Sequence, residues 1–155
     1  MNRQHQYTIA LEWTGNRGSG TSGYTAYSRD HRLQHARKPE ILASSDPSFR
    51  GNPARYNPEE LLVASLSSCH MLWYLHLCAD AGVIVLAYTD EAKGTMEEHA
   101  GGGRFTSVKL YPKVRVTEKS MVKKARDLHH EAHRLCYIAN SCNFPVECEA
   151  EIFAD

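Results

Sequence analysis

The chain has 155 residues, enough for one domain of ordinary size and hardly for two. Its 18 basic and 18 acidic side chains cancel, which removes the electrostatic case for nucleic acid or an acidic membrane surface as partner. Hydrophobic residues make up 42% of the chain, which fits a folded globule and disfavours disorder.

In chain order, Tyr7, Ile9, Leu11 and Trp13 alternate with Thr8, Ala10 and Glu12, the pattern of a half-buried strand. Four glycines between Thr14 and Gly23 read as a turn or loop, and Tyr24–Ser28 as a second strand hairpin-paired with the first. From Arg29 to Tyr56 the chain reads as irregular, punctuated by Pro39, Pro47 and Pro53. Asn57-Pro58-Glu59-Glu60 then predicts a helix start, with Asn57 as N-cap, proline at the first helical position and Glu60 at capping-box spacing. That helix runs from Pro58 to about Asp80, ending before Gly82. It lacks a broad polar face, so it belongs in the middle of the structure.

Val83–Tyr88 reads as a buried strand and Phe105–Val116 as another, with Pro112 at an edge or bulge. Gly101–Gly103 is one loop. A second helix over about Ser120–Tyr137 has Val122, Ala125, Leu128, Ala132 and Leu135 as its apolar stripe. Val146, Cys148, Ala150 and Ile152 mark a C-terminal strand. The order of elements is that of an α+β fold, expected as a single domain over residues 1–155.

No membrane span is expected, because Ser65, Ser67, Ser68, His70, His76, Asp80 and Gly82 interrupt the most apolar stretch, and a span needs about 20 apolar residues. The polar opening MNRQHQ lacks the apolar core of a signal peptide, so the expected location is the cytoplasm. In that reducing compartment five cysteines are free thiols, metal ligands or redox catalysts rather than staples. Cys148 and Cys78 fit core positions. Cys69 stands among small and polar residues, Cys136 ends the second helix on its apolar side, and Cys142 lies in the loop beyond. Cys69 beside His70, and His129 one turn before His133, are the candidate metal ligands. His130-Glu131-Ala132-His133 is one residue short of the metalloprotease helix motif, and a solvated helix face accounts for these histidines.

Asn57-Pro58-Glu59-Glu60-Leu61-Leu62 followed by Ala64-Ser65-Leu66-Ser67-Ser68-Cys69 resembles the signature helix of the OsmC/Ohr family, the osmotically induced and organic-hydroperoxide-resistance proteins. Ala132–Asn140 resembles its second cysteine segment, and Trp13–Gly18 its N-terminal hairpin. The resemblance implies antiparallel sheets packed around two long central helices in an intertwined homodimer. It also implies a thiol peroxidase acting on organic hydroperoxides, and on hydrogen peroxide, in oxidative stress defence, without metal or cofactor. Cys69 takes the peroxidatic position, Cys136 the resolving one, Glu59 the acidic partner and Arg17, or else Arg29, the guanidinium. An external dithiol would complete the cycle. The sequence departs from the family pattern at Tyr137, where proline commonly follows the second cysteine; this leaves Cys142 as an alternative resolving thiol.

A guanidinium beside a sulfur favours the thiolate, the nucleophilic form, of which an ordinary thiol with pKa near ~8.5 holds only a few per cent at neutral pH. A carboxylate can fix that guanidinium through paired hydrogen bonds. By position alone, Glu59 also suits the positive end of the helix dipole.

Overall fold

The computed structural model describes residues 3–154, which form two compact units, one ending at Leu61 and the other beginning at Leu62. The first unit holds a three-stranded antiparallel sheet of β1 (Ala10–Trp13), β2 (His31–Gln34) and β3 (Ile41–Ala43), in that order. The alternation from Tyr7 to Trp13 yields strand only from Ala10 onward, and its apolar side chains stay exposed, Leu11 at 64%. The expected strand at Tyr24–Ser28 is a set of turns instead. Its physical cause is Arg29, whose guanidinium donates to the carbonyls of Tyr24 and Tyr27 at 2.8 and 2.9 Å and lies over both rings. Carbonyls taken up in this way are lost to a ladder. The partner of β1 is therefore β2, with Leu11 opposite Leu33. The stretch expected to be irregular thus supplies two of the three strands.

Helix α1 (Pro58–Asp80) matches its expected bounds. Its start is a complete capping box: the Glu60 amide donates to the Asn57 side chain at 2.8 Å, and the Asn57 amide donates to the Glu60 carboxylate at 3.1 Å. At its end Gly82 adopts φ +73°, and the Val83 amide closes on the Cys78 carbonyl at 2.8 Å. By length and composition α1 is apolar enough to cross a membrane, so its interrupting polar residues do not themselves exclude a span. Its buried residues, Leu66, His70, Tyr74 and Cys78, recur every four positions and place one stripe in the core of the second unit.

Around that stripe lie two further three-stranded sheets. One is ordered β4 (Val85–Asp90), β7 (Pro112–Val116), β9 (Glu151–Ala154); the other is β5 (Lys93–His99), β6 (Gly102–Leu110), β8 (Val146–Cys148). Tyr74 and Cys78 join Val83, Val114, Val116, Ala125, Ala132 and Ile152 in one core cluster, while Leu66 joins Val108 and Leu110 in another. Helix α2 (Val122–Leu135) buries Ala125, His129 and Ala132, and is shorter at both ends than expected.

The single strand expected over Phe105–Val116 is two. Proline has no amide proton to continue a ladder, and the amide of the preceding Tyr111 donates instead to Asp90 Oδ1 at 2.7 Å. The chain bends there, and Pro112 opens β7 as a buried residue in another sheet. The C-terminal strand splits likewise into β8 and β9. Both pair in parallel with the bent segment, Val108 with Val146 and Val116 with Ala154, at the same offset along the chain throughout. The expected glycine loop is only a tight turn, because Gly102 and Gly103 already belong to β6.

Candidate functional site

The two central cysteines come together from two different helices. Cys69 sits midway along α1 and is half-buried; Cys136 caps α2 and is 1% exposed. Burial pushes the Cys136 thiol up to about 11, and Cys69 stands beside it as a hydrogen-bond partner that raises it further, while the Ala139 amide, 3.5 Å from Cys136 Sγ, opposes the rise. Both cysteines are free thiols. Cys142 packs against the Leu66, Val108 and Leu110 cluster, and burial raises its thiol. Among the described residues, Cys136 is thus the thiol found beside Cys69.

Neighbouring aromatic residues brace this pair. Trp73, one helical turn beyond Cys69, meets the ring of Tyr137 edge-on at 5.4 Å, and Tyr137 directly follows Cys136. Tyr137 therefore has a packing role of its own. Leu72, Trp73 and His76, at helical spacing on the Cys69 side of α1, line an apolar hollow of about 290 Å³. Two residues before Cys69, the Ser67 hydroxyl donates to Asp90 Oδ2 at 2.5 Å, tying α1 to the end of β4.

Glu59 lies half-buried in the first turn of α1. Arg17 lines a cavity of about 280 Å³ in the first unit with Tyr27, Asp30 and Arg50. Glu59 and Arg17 are not joined by an ion pair among the described residues. Arg29 is committed to the Tyr24 and Tyr27 carbonyls and rings.

The histidines differ from expectation. His129 is not on a solvated face; it is 5% exposed, whereas His133 one turn on is exposed. His70 Nε2 and His129 Nδ1 are 2.9 Å apart, and Cys148 Sγ lies 3.6 and 3.7 Å from them. These three potential metal-ligating atoms lie within 4.8 Å of one another. Tyr74 stacks on His129 at 3.9 Å. Burial, with the nearby charge of His133 added and that of Asp90 opposing, holds His70 down at about 4; burial, with His70 and His130, holds His129 at about 3. Burial and Asp90 push the Cys148 thiol up to about 12. Sequence reasoning placed Cys148 in the core and missed this grouping. The signal was available in the i, i+4 stripe through Leu66, His70 and Tyr74 and the matching one through Ala125 and His129.

Both imidazoles bind protons less readily folded than unfolded, so acid favours the unfolded chain. Stability is full above the ordinary histidine pKa of ~6.5 and falls as pH drops from there toward about 4 for His70 and about 3 for His129. Between pH 7 and pH 5 the expected loss is about 2 kcal/mol per ring. Urea denaturation across that range, with a chelator present so that no ion competes for the rings, checks this. A flat midpoint would contradict it.

A family model described as OsmC-like protein matches residues 51–151. The chain belongs to the OsmC family. An OsmC-like protein of unknown function from Vibrio cholerae is 34% identical, superposes with a TM-score of 0.84, and the match covers 96% of this chain and 100% of that one. An organic hydroperoxide resistance protein from Elizabethkingia anophelis, 20% identical, gives a TM-score of 0.69 over 99% and 100% of the two chains. An organic hydroperoxide resistance protein from Legionella pneumophila, described as a predicted redox protein, is 14% identical with a TM-score of 0.64 over 96% and 98%. These last two likenesses concern the fold alone. No curated protein matches the chain. The OsmC-like fold, with its two helices and several sheets, is therefore the frame that holds Cys69 and Cys136 together.

Proposed function

We propose that this OsmC-family chain is a two-cysteine thiol peroxidase that reduces organic hydroperoxides, and hydrogen peroxide as well. The observation that carries the reading is the meeting of Cys69 and Cys136, with Cys69 the more accessible of the two. Cys69 thiolate attacks the peroxide oxygen; the O–O bond breaks, the alcohol leaves with a proton, and Cys69 becomes a sulfenic acid. The Cys136 thiol then displaces the sulfenic hydroxyl as water and forms a disulfide. An external dithiol returns both cysteines to thiols by exchange.

The apolar hollow lined by Leu72, Trp73 and His76, on the helix face that also carries Cys69, favours an alkyl group over a bare hydroxyl. Arg17 is the guanidinium and Glu59 the carboxylate that this reading assigns to thiolate activation. A cytoplasmic homodimer is part of it: Ile84 and Leu86, each at least half exposed, are apolar side chains that a second copy would cover.

Thiol counting tests the proposal. One equivalent of an alkyl hydroperoxide is expected to remove two of the five thiols rapidly, with Cys69 and Cys136 joined in the peptide map. Five thiols left free would overturn the peroxidase reading and favour a ligand-binding protein on the same fold.

A further inference from the structure

The grouping of His70, His129 and Cys148 has no part in the peroxide chemistry. It draws one residue from each of α1, α2 and β8, and both histidines are almost wholly buried. A buried hydrogen-bonded core would satisfy both rings. Here a single proton can lie between His70 Nε2 and His129 Nδ1, the sulfur is at the outer limit of hydrogen bonding, and His129 Nε2 has no partner among the described residues.

Its dimensions also come close to those of a bound ion. A tetrahedral zinc with bonds of about 2.05 Å to nitrogen and 2.3 Å to sulfur sets its ligand atoms about 3.35 Å apart for N–N and about 3.6 Å for N–S. The N–S distances are 3.6 and 3.7 Å, and the N–N distance of 2.9 Å needs only a small opening. We propose that His70 Nε2, His129 Nδ1 and Cys148 Sγ form a binding site for a borderline-soft divalent ion of the zinc type. Two imidazoles and one thiolate are the donor chemistry such ions select, and three protein ligands leave a fourth position for water.

The rings are already neutral at pH 7, and the ion must displace only the Cys148 proton, which leaves to solvent. Binding through Nδ1 would fix the remaining His129 proton on Nε2. An ion here would pin α1 to α2 and β8. Those helices carry Cys69, one residue from His70, and Cys136, two turns beyond His129.

Cobalt(II) titration of untagged, chelator-treated protein tests the site without reference to turnover. One equivalent is expected to produce thiolate-to-cobalt charge-transfer absorption, displaced by zinc(II), retained in Cys69→Ser and Cys136→Ser, and lost in Cys148→Ser. His129→Gln, checked for native helix content by circular dichroism, should bind cobalt at least 10-fold more weakly, in the range expected when support for a metal site is lost. In the unaltered protein, zinc(II) should protect Cys148 from alkylation in the peptide map. Absence of the charge-transfer band, or a band that survives Cys148→Ser, overturns the proposal. Either result leaves the peroxidase reading untouched, because that reading stands or falls on the Cys69–Cys136 disulfide.

Discussion

Cys69→Ser is expected to reduce peroxide consumption to the uncatalysed rate, and Cys136→Ser to permit about one turnover per chain before overoxidation. The difference follows from where the thiols lie. Peroxide can reach half-buried Cys69, whereas Cys136 is enclosed and its thiol held at about 11, so it is a poor first nucleophile. With Cys136 gone, the sulfenic acid on Cys69 has no neighbour to condense with and proceeds to the sulfinic state. Stopped-flow peroxide consumption and intact-mass measurement separate the two variants. Full activity in Cys69→Ser would sink the assignment. Continued turnover in Cys136→Ser, abolished by adding Cys142→Ser, would move the resolving role to Cys142. Since more Cys136 thiolate forms as pH rises, disulfide formation should accelerate from pH 7 to pH 9.

Leu66→Ala is expected to cost about 3.5 kcal/mol of stability, the middle of the range for truncating a buried leucine. Leu66 is fully buried at the contact of α1 with Val108 and Leu110, and Val63, Phe105 and Val146 close round it. It lies three residues before Cys69, so the vacated space adjoins the helical turn that carries that thiol. Chemical denaturation gives the cost. A loss below about 1 kcal/mol would mean that the surrounding side chains collapse into the space, contrary to the packing described.

Local signals made the central helix legible. The proline, the capping box and the closing glycine are short-range devices, and each is present in the structure. Strand β5 left no such trace: Lys93–His99 is exposed along its whole length, so no apolar alternation marks it. Its position depends on β6 and on Gly94, where a Cβ would lie 2.6 Å from Phe105 and 2.7 Å from Val63. At Tyr24–Ser28 the expected strand did not form, because Arg29 takes up the carbonyls of Tyr24 and Tyr27. The meeting of Cys69 and Cys136 was legible because both cysteines lie in segments that resemble motifs of the family. The histidine–cysteine grouping was not, since His70, His129 and Cys148 meet only through tertiary packing, and Cys148 reads as core by its parity.

The unchanged register across the bend at Pro112 ties two distant parts of the chain to one length. β6 with β7 and β8 with β9 run as parallel tracks, each turning at the same point, so Glu149 still donates its amide to the Leu110 carbonyl at 2.9 Å through the corner. A residue inserted at one corner alone would reverse the inward and outward faces of everything beyond it on that track. Length changes in this chain therefore keep both faces in register only in matched pairs at the two corners, while the turn between β5 and β6, which lies outside both tracks, is free to vary alone.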